Sequence, residues 1–289
     1  MTPFDMMEPR AAAEEQRKRR FRPVPLRMLA PNLITLIALC SGITAIRMAI
    51  EGRFELSIAA IIFAIVLDAL DGRIARLLKG TSRFGAQLDS LADFVNFGVA
   101  PAVVIYLWSL QSLRSLGWIV ALWLAICTAL RLARFNVALD DPDKPAWKAN
   151  YFTGVPAPAG AGLALLPMYL GYLGVIGRGD YALLVLAYVA FVGFLMVSQI
   201  PTFSGKQFGQ EVRRDMVLPV LLVIVFFAAL LVSFSWLMLT LIALVYLAFI
   251  PVSIVRYREQ ESEYERARET ADQEAAREAA AQARARDRR

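Results

Sequence analysis

Residues Leu67–Phe94 read LDALDGRIARLLKGTSRFGAQLDSLADF, and four aspartates, Asp68, Asp71, Asp89 and Asp93, fall inside this stretch at the edge of an otherwise oily chain. Asp68 and Asp71 are three apart and Asp89 and Asp93 four apart, so each pair lies on one face of a helix. A short connection bearing Arg73, Arg76, Lys79 and Arg83 separates the pairs. Two antiparallel helices joined there would bring four carboxylates together at one border of a membrane.

The surrounding composition supports a membrane. The chain of 289 residues is 58% hydrophobic with mean hydropathy +0.52, against about 45–50% apolar residues in a soluble domain. The excess lies in runs of about 20 residues, the length that spans a bilayer core as helix. Eight such runs are expected, roughly at 30–51, 54–76, 86–109, 115–138, 154–175, 180–200, 215–234 and 236–255. The fold class is therefore an all-α, polytopic membrane helical bundle of about eight transmembrane helices. The termini differ from the middle. Residues 1–29 read as a basic arm and 256–289 as a charged, solvated tail, flanking a membrane domain over 30–255.

Charge orients the bundle. With eight spans, all but four of the 31 lysines and arginines fall on the side of the termini; the exceptions are Arg47, Arg53, Arg114 and Arg178. Basic residues accumulate on cytoplasmic loops, so both termini are expected in the cytoplasm, with the aspartates facing it. The net charge of +6 then reflects topology and attraction of the arm to anionic lipid. Nucleic-acid binding would need a folded basic surface with base-reading or stacking residues and is not expected. The N-terminus lacks the cleavage site of a secretory signal. Both cysteines, Cys40 and Cys127, sit in apolar runs, which argues against a disulfide framework.

The chain contains no histidine. A Ser-His-Asp triad, a histidine metal site and a histidine base are thereby excluded, leaving a carboxylate, Lys, Tyr or Cys as proton acceptor. Four unpaired carboxylates at a membrane border are costly unless neutralised. Oxygen-only ligands suit hard cations. Two such ions, sharing a bridging carboxylate, activate an attacking oxygen and stabilise a leaving one at phosphorus. Gly72 and Gly85 allow a ligand close to the backbone. Arg76 lies one turn past Gly72, placed for a phosphate, and Thr81 and Ser82 add hydroxyls. The plainer explanation is a set of interfacial charges balanced by Arg73, Arg76 and Arg83. A membrane transporter with ion-coupling acids is another, but it would spread its acids near the midplane over several helices in matching halves.

The pattern Asp68-x2-Asp71-Gly72-x2-Ala75-Arg76-x8-Gly85-x3-Asp89-x3-Asp93 resembles the signature of the CDP-alcohol phosphatidyltransferases. That resemblance implies a helical membrane bundle, usually a homodimer, with a polar cavity open to the cytoplasm. It implies transfer of a phosphatidyl group from CDP-diacylglycerol to an alcohol, with release of CMP, assisted by two divalent cations, Mg²⁺ or Mn²⁺. Carried over by position, Asp68, Asp71 and Asp89 would ligate one ion, and Asp68, Asp89 and Asp93 the other. Asp93 would also be the general base. Gly72, Arg76, Ser82 and Gly85 would hold the cytidine and diphosphate. Asn32 and Thr35, in "PNLIT", are further nucleotide candidates, for which capping of a helix beginning after Pro31 is the competing explanation.

Four other stretches, "DFVNFGVAPA", "LRLARFN", "YFTGVPAPAGA" and "MVSQIPTFSGK", resemble the bacterial branch of that family that uses L-serine and tends to have eight spans. It implies Arg131, Arg134 and Lys206 as acceptor-binding candidates, and a location in the bacterial cytoplasmic membrane. Paired hydrogen bonds from arginine suit a carboxylate, although glycerol 3-phosphate would want arginines too, and positive-inside flanking explains them otherwise. Phe94, Phe97, Tyr106, Trp108, Trp118 and Trp123 read as lipid-facing or interfacial aromatics. Gly42, Gly98, Gly154, Gly160 and Gly162 read as positions of close helix packing.

Overall fold

The computed structural model describes residues 26–77, 82–139, 147, 151–203 and 216–287. Helix α1 (Leu26–Ile50) turns at Gly52 (φ +75°) into α2 (Phe54–Leu77), forming a hairpin. Its interface is built of small and branched side chains, Ala38, Ala45 and Ala49 against Ile58, Ile61 and Ala64, all buried. Such residues let two helices approach where lipid supplies no hydrophobic drive between them. Two hydroxyls satisfy themselves across it: Ser41 Oγ donates to the Ala60 carbonyl and Ser57 Oγ to that of Ala45, each at 2.8 Å.

The third apolar run is not one regular helix. It comprises α3 (Arg83–Asp93), a π-helical turn (Phe94–Val99) and α4 (Ala100–Trp108). The Ala100 N–H reaches back five residues to the Val95 carbonyl, and Pro101 next to it has no N–H to restore the tighter ladder. After a 3₁₀ turn (Leu110–Leu113), α5 runs over Ser115–Leu139. The fifth run is likewise broken, into α6 (Ala157–Ala164) and α7 (Leu166–Tyr172), with Pro167 in the first turn of α7. Then follow α8 (Ala182–Val197), α9 (Val217–Ser233) and α10 (Ser235–Asp287). Strands β1 (Tyr151–Thr153) and β2 (Pro201–Phe203) pair antiparallel, Phe152 opposite Thr202.

Four helical stretches are long and apolar enough to cross a membrane, Ala30–Ile50, Phe84–Trp108, Ser115–Ala138 and Ser235–Thr270, and α8 and α9 are shorter apolar helices. Helix α9 buries no residue at all; Leu222 is 61% and Val232 82% exposed. A helix apolar all round and bare on its own fold belongs in lipid. The protein is an all-α membrane protein with one two-stranded sheet among its described residues.

Several sequence expectations change here. Phe97 and Trp108 are buried in the core rather than facing lipid. A Cβ on Gly98 would press on Thr128, and one on Gly160 on the Met196 sulfur, so both do permit close packing. Gly154, at φ +78°, also packs too closely on the Met196 and Ser198 carbonyls for a Cβ, whereas Gly162 has nothing near its missing side chain among the described residues. Pro31 lies inside α1, not before it, so Asn32 and Thr35 are not caps of a helix starting there. Helix α10 continues past residue 255 without a break. Its Tyr257 ring lies 5.2 Å from those of Trp147 and Tyr151, and Tyr151 also contacts Phe203 of β2. The start of the charged tail thus packs on the β1–β2 pair. Most of the N-terminal arm (1–25) lies outside the described residues.

Candidate active site

Asp68 and Asp71 occupy the last turns of α2, and Asp89 and Asp93 the last turns of α3. One carboxylate oxygen from each of Asp68, Asp71 and Asp89 falls within 4.8 Å of the others. Asp93 joins through Asp68, the two carboxyls lying within hydrogen-bond reach of one another. Carboxylates this close repel unless a cation or a proton sits between them. The donor set is all oxygen, so the cluster fits a hard divalent cation.

Helix α1 supports the cluster from the side. Thr35 Oγ1, 2.8 Å from Asp71 Oδ2 and 3.1 Å from the Pro31 carbonyl, offers its proton to the carboxylate. Thr35 and Asp71 are each 5% exposed, so this bond fixes the carboxylate away from bulk water. Thr35 thereby acts directly on the aspartate cluster. Asn32, one turn earlier on the same face, reaches the start of α3. A Cβ added to Gly85 would stand 2.8 Å from Asn32 Oδ1 and 3.1 Å from Ser82 Oγ. Ser82 is the N-cap of α3, its hydroxyl oxygen accepting the Gly85 N–H at 2.9 Å. Asn32, Ser82 and Gly85 therefore converge at a helix N-terminus, where unpaired N–H groups favour phosphate. A Cβ on Gly72 would meet nothing within 4 Å, so that glycine leaves room for a ligand rather than for protein. Arg76 lies on α2, but its side chain is outside the described residues, as is Thr81.

Helix α5 closes another side. Asn136 Nδ2 donates to Ser90 Oγ at 2.9 Å, pinning α5 to α3 between the two aspartates. Arg131 is 8% exposed and its charge faces Asp93, Asp68 and Tyr246, with its guanidinium 5.2 Å from the Phe135 ring centroid. Among the described residues it makes no ion pair within 4.0 Å. Arg134, three residues on, is exposed and donates from Nη1 to the Val197 carbonyl at 2.6 Å, at the C-terminus of α8. That carbonyl end attracts a cation. The arginine pair is therefore split, Arg131 toward the aspartates and Arg134 toward a helix end. Lys206 lies outside the described residues.

Two polar residues near this site had no place in the sequence reading. Asn96, in the π turn, is buried with Oδ1 lacking a hydrogen bond and lodged against Gly42. Its signal was an amide in an apolar run, three residues after Asp93. Tyr246, on α10, had no such signal, because tyrosine is common in membrane helices.

A family model described as CDP-alcohol phosphatidyltransferase matches residues 28–202, and another, CDP-alcohol phosphatidyltransferase 2, matches 215–251. The chain belongs to the CDP-alcohol phosphatidyltransferase family. It is 40% identical over 246 residues to a CDP-diacylglycerol–serine O-phosphatidyltransferase of Mycobacterium leprae, covering 84% of this chain and 79% of that protein. A Mycobacterium tuberculosis protein of the same name is 39% identical over 237 residues, covering 81% and 80%. One from Helicobacter pylori is 36% identical over 178 residues, covering 61% and 73%. Within this phosphatidyltransferase, the first match takes in the four aspartates, Asn32, Thr35 and Arg131, and the second takes in Tyr246.

Proposed function

We propose that this protein transfers the phosphatidyl group of CDP-diacylglycerol to the hydroxyl of L-serine, forming phosphatidylserine and CMP. The observation that carries the reading is the convergence of Asp68, Asp71, Asp89 and Asp93 beside a buried Arg131 that makes no ion pair within 4.0 Å among the described residues. It is supported by family membership and by relatives named for serine transfer. In this reading Asp68, Asp71 and Asp89 hold one divalent cation, Mg²⁺ or Mn²⁺, and Asp68, Asp89 and Asp93 a second. When bound, such ions spread the diphosphate charge and acidify a nearby hydroxyl.

The chain's own residues supply the rest. Asn32, Ser82, Gly72, Gly85 and Arg76 hold the cytidine and diphosphate. Arg131 binds the acceptor's carboxylate, turning its hydroxyl toward Asp93. Asp93 takes the hydroxyl proton; the oxygen forms a bond to the phosphatidyl phosphorus, and the bond to CMP breaks. Arg134, committed to Val197, and Lys206 have secondary parts in acceptor binding. The topology that goes with this is eight spans with both termini in the cytoplasm of a bacterium, the site opening there, and a homodimer as assembly. An ion-coupled transporter fits less well, because the acids sit at the ends of two adjacent helices.

Glycerol 3-phosphate is the competing acceptor, since a phosphate would satisfy Arg131 as well as a carboxylate. Purified protein with CDP-diacylglycerol and Mn²⁺ is offered L-serine and glycerol 3-phosphate in parallel, with the lipid product identified by mass. Phosphatidylserine as the dominant product is expected. Product from glycerol 3-phosphate alone overturns the serine assignment and leaves the reaction class standing.

A further inference from the structure

Arg131 is a buried cation that makes no ion pair within 4.0 Å among the described residues; Asp93 and Asp68 answer its charge at longer range, and its guanidinium donors remain for an incoming anion. Beside it stands Tyr246, a residue of α10. Among the described residues the buried Tyr246 hydroxyl makes no well-formed hydrogen bond; the polar group nearest to serving it is the Thr202 hydroxyl. Thr202 donates its own proton elsewhere, to the Gly154 carbonyl at 2.8 Å, and is 2% exposed. A buried phenol without a well-formed hydrogen bond has a donor to spare.

The surroundings hold the phenol in place. Thr202 belongs to β2, whose pairing with β1 is set by the Phe152–Thr202 register. Phe152 packs edge-on to Phe135 at 6.2 Å, and Phe135 is the ring under Arg131. The β1–β2 pair, α5 and α10 therefore meet near Arg131 and Tyr246.

We propose that Tyr246 is an acceptor-binding residue, its hydroxyl donating to the carboxylate of L-serine together with the Arg131 guanidinium. This rests on the serine reading above and adds to it a donor from α10 that would make the enzyme select a carboxylate-bearing alcohol. Binding by a buried polar donor rejects analogues lacking the matching group, because the donor is then left unpaired. Ethanolamine, which is L-serine without its carboxylate, is the matching probe.

The test is steady-state kinetics of the full-length protein and Tyr246→Phe in Mn²⁺, varying L-serine, ethanolamine and CDP-diacylglycerol separately. Loss of one hydrogen bond to a charged group raises the KM for L-serine about tenfold. The KM for CDP-diacylglycerol and kcat stay near wild type, as expected when binding common to ground and transition states is removed. The preference for L-serine over ethanolamine falls about tenfold as well. An unchanged serine KM in Y246F, or equal rises in both substrates' KM with the preference intact, overturns the role of Tyr246. A wild-type protein that makes no phosphatidylserine overturns the parent reading instead.

Discussion

Replacing Thr35 by valine tests whether α1 tunes the aspartate cluster. Valine keeps the β-branched shape and removes only the hydroxyl that lies 2.8 Å from Asp71 Oδ2. Asp71 is 5% exposed, so water does not readily replace the lost donor. A hydrogen bond to a charged group contributes about 1.5–3 kcal/mol. Part of that appears as weaker cation binding, because partners of metal ligands change affinity about 10–100-fold when removed. The expected result is a 10–100-fold rise in the Mn²⁺ concentration for half-maximal activity. Activity recovers at saturating Mn²⁺, with the KM for L-serine within about twofold of wild type. The assay is CMP release across a Mn²⁺ titration, with circular dichroism confirming helix content. An unchanged Mn²⁺ dependence would refute the idea that Asp71 is a cation ligand held by Thr35. A defect confined to the KM for CDP-diacylglycerol would make Thr35 a nucleotide contact instead.

Other perturbations have distinct signatures. Gly85→Ala places a Cβ 2.8 Å from Asn32 Oδ1 and 3.1 Å from Ser82 Oγ. The side chains can yield, so stability should hold while the KM for CDP-diacylglycerol rises severalfold and that for L-serine does not. Asp93→Asn keeps the shape and removes the base; kcat should fall by about 10²–10⁴-fold, and near-full turnover would remove Asp93 from proton transfer. Tyr257→Ala deletes two ring contacts at 5.2 Å, each contributing about 0.5–1.5 kcal/mol. The charged part of α10 should then be cut faster in limited proteolysis, with catalysis nearly unaltered; equal cleavage rates would mean the tail is not held by the β1–β2 pair.

The sequence was most legible where a single physical rule dominated. The apolar runs fall largely on helices, four of them long enough to cross a membrane, because twenty apolar residues have few other solutions in lipid. The aspartate intervals placed Asp68, Asp71 and Asp89 together correctly, because i,i+3 and i,i+4 spacing leaves little freedom. What escaped were features set by contacts distant in sequence or by small backbone changes. The π turn after Asp93 depends on one residue's shift in hydrogen bonding near Pro101, which leaves hydropathy untouched. The break before Pro167 was hidden in an apolar run. Arg131 and Arg134 look equivalent on a helical wheel turn, yet α8 ends where it captures only Arg134. Tyr246 lies more than a hundred residues from Arg131, so nothing local marks it. The tail's first turns read as solvated, but Tyr257 and Tyr264 supply rings that Trp147 meets.

If the aspartate cluster drives direct transfer from CDP-diacylglycerol to serine, CMP and phosphatidylserine must form together. The most direct measurement is the amount of CMP and of phosphatidylserine formed by the purified protein in Mn²⁺ as L-serine is raised from zero. No CMP without L-serine, and equal amounts of the two products at every serine concentration, are expected. CMP released in the absence of serine, or released with serine but without matching phosphatidylserine, would contradict direct transfer.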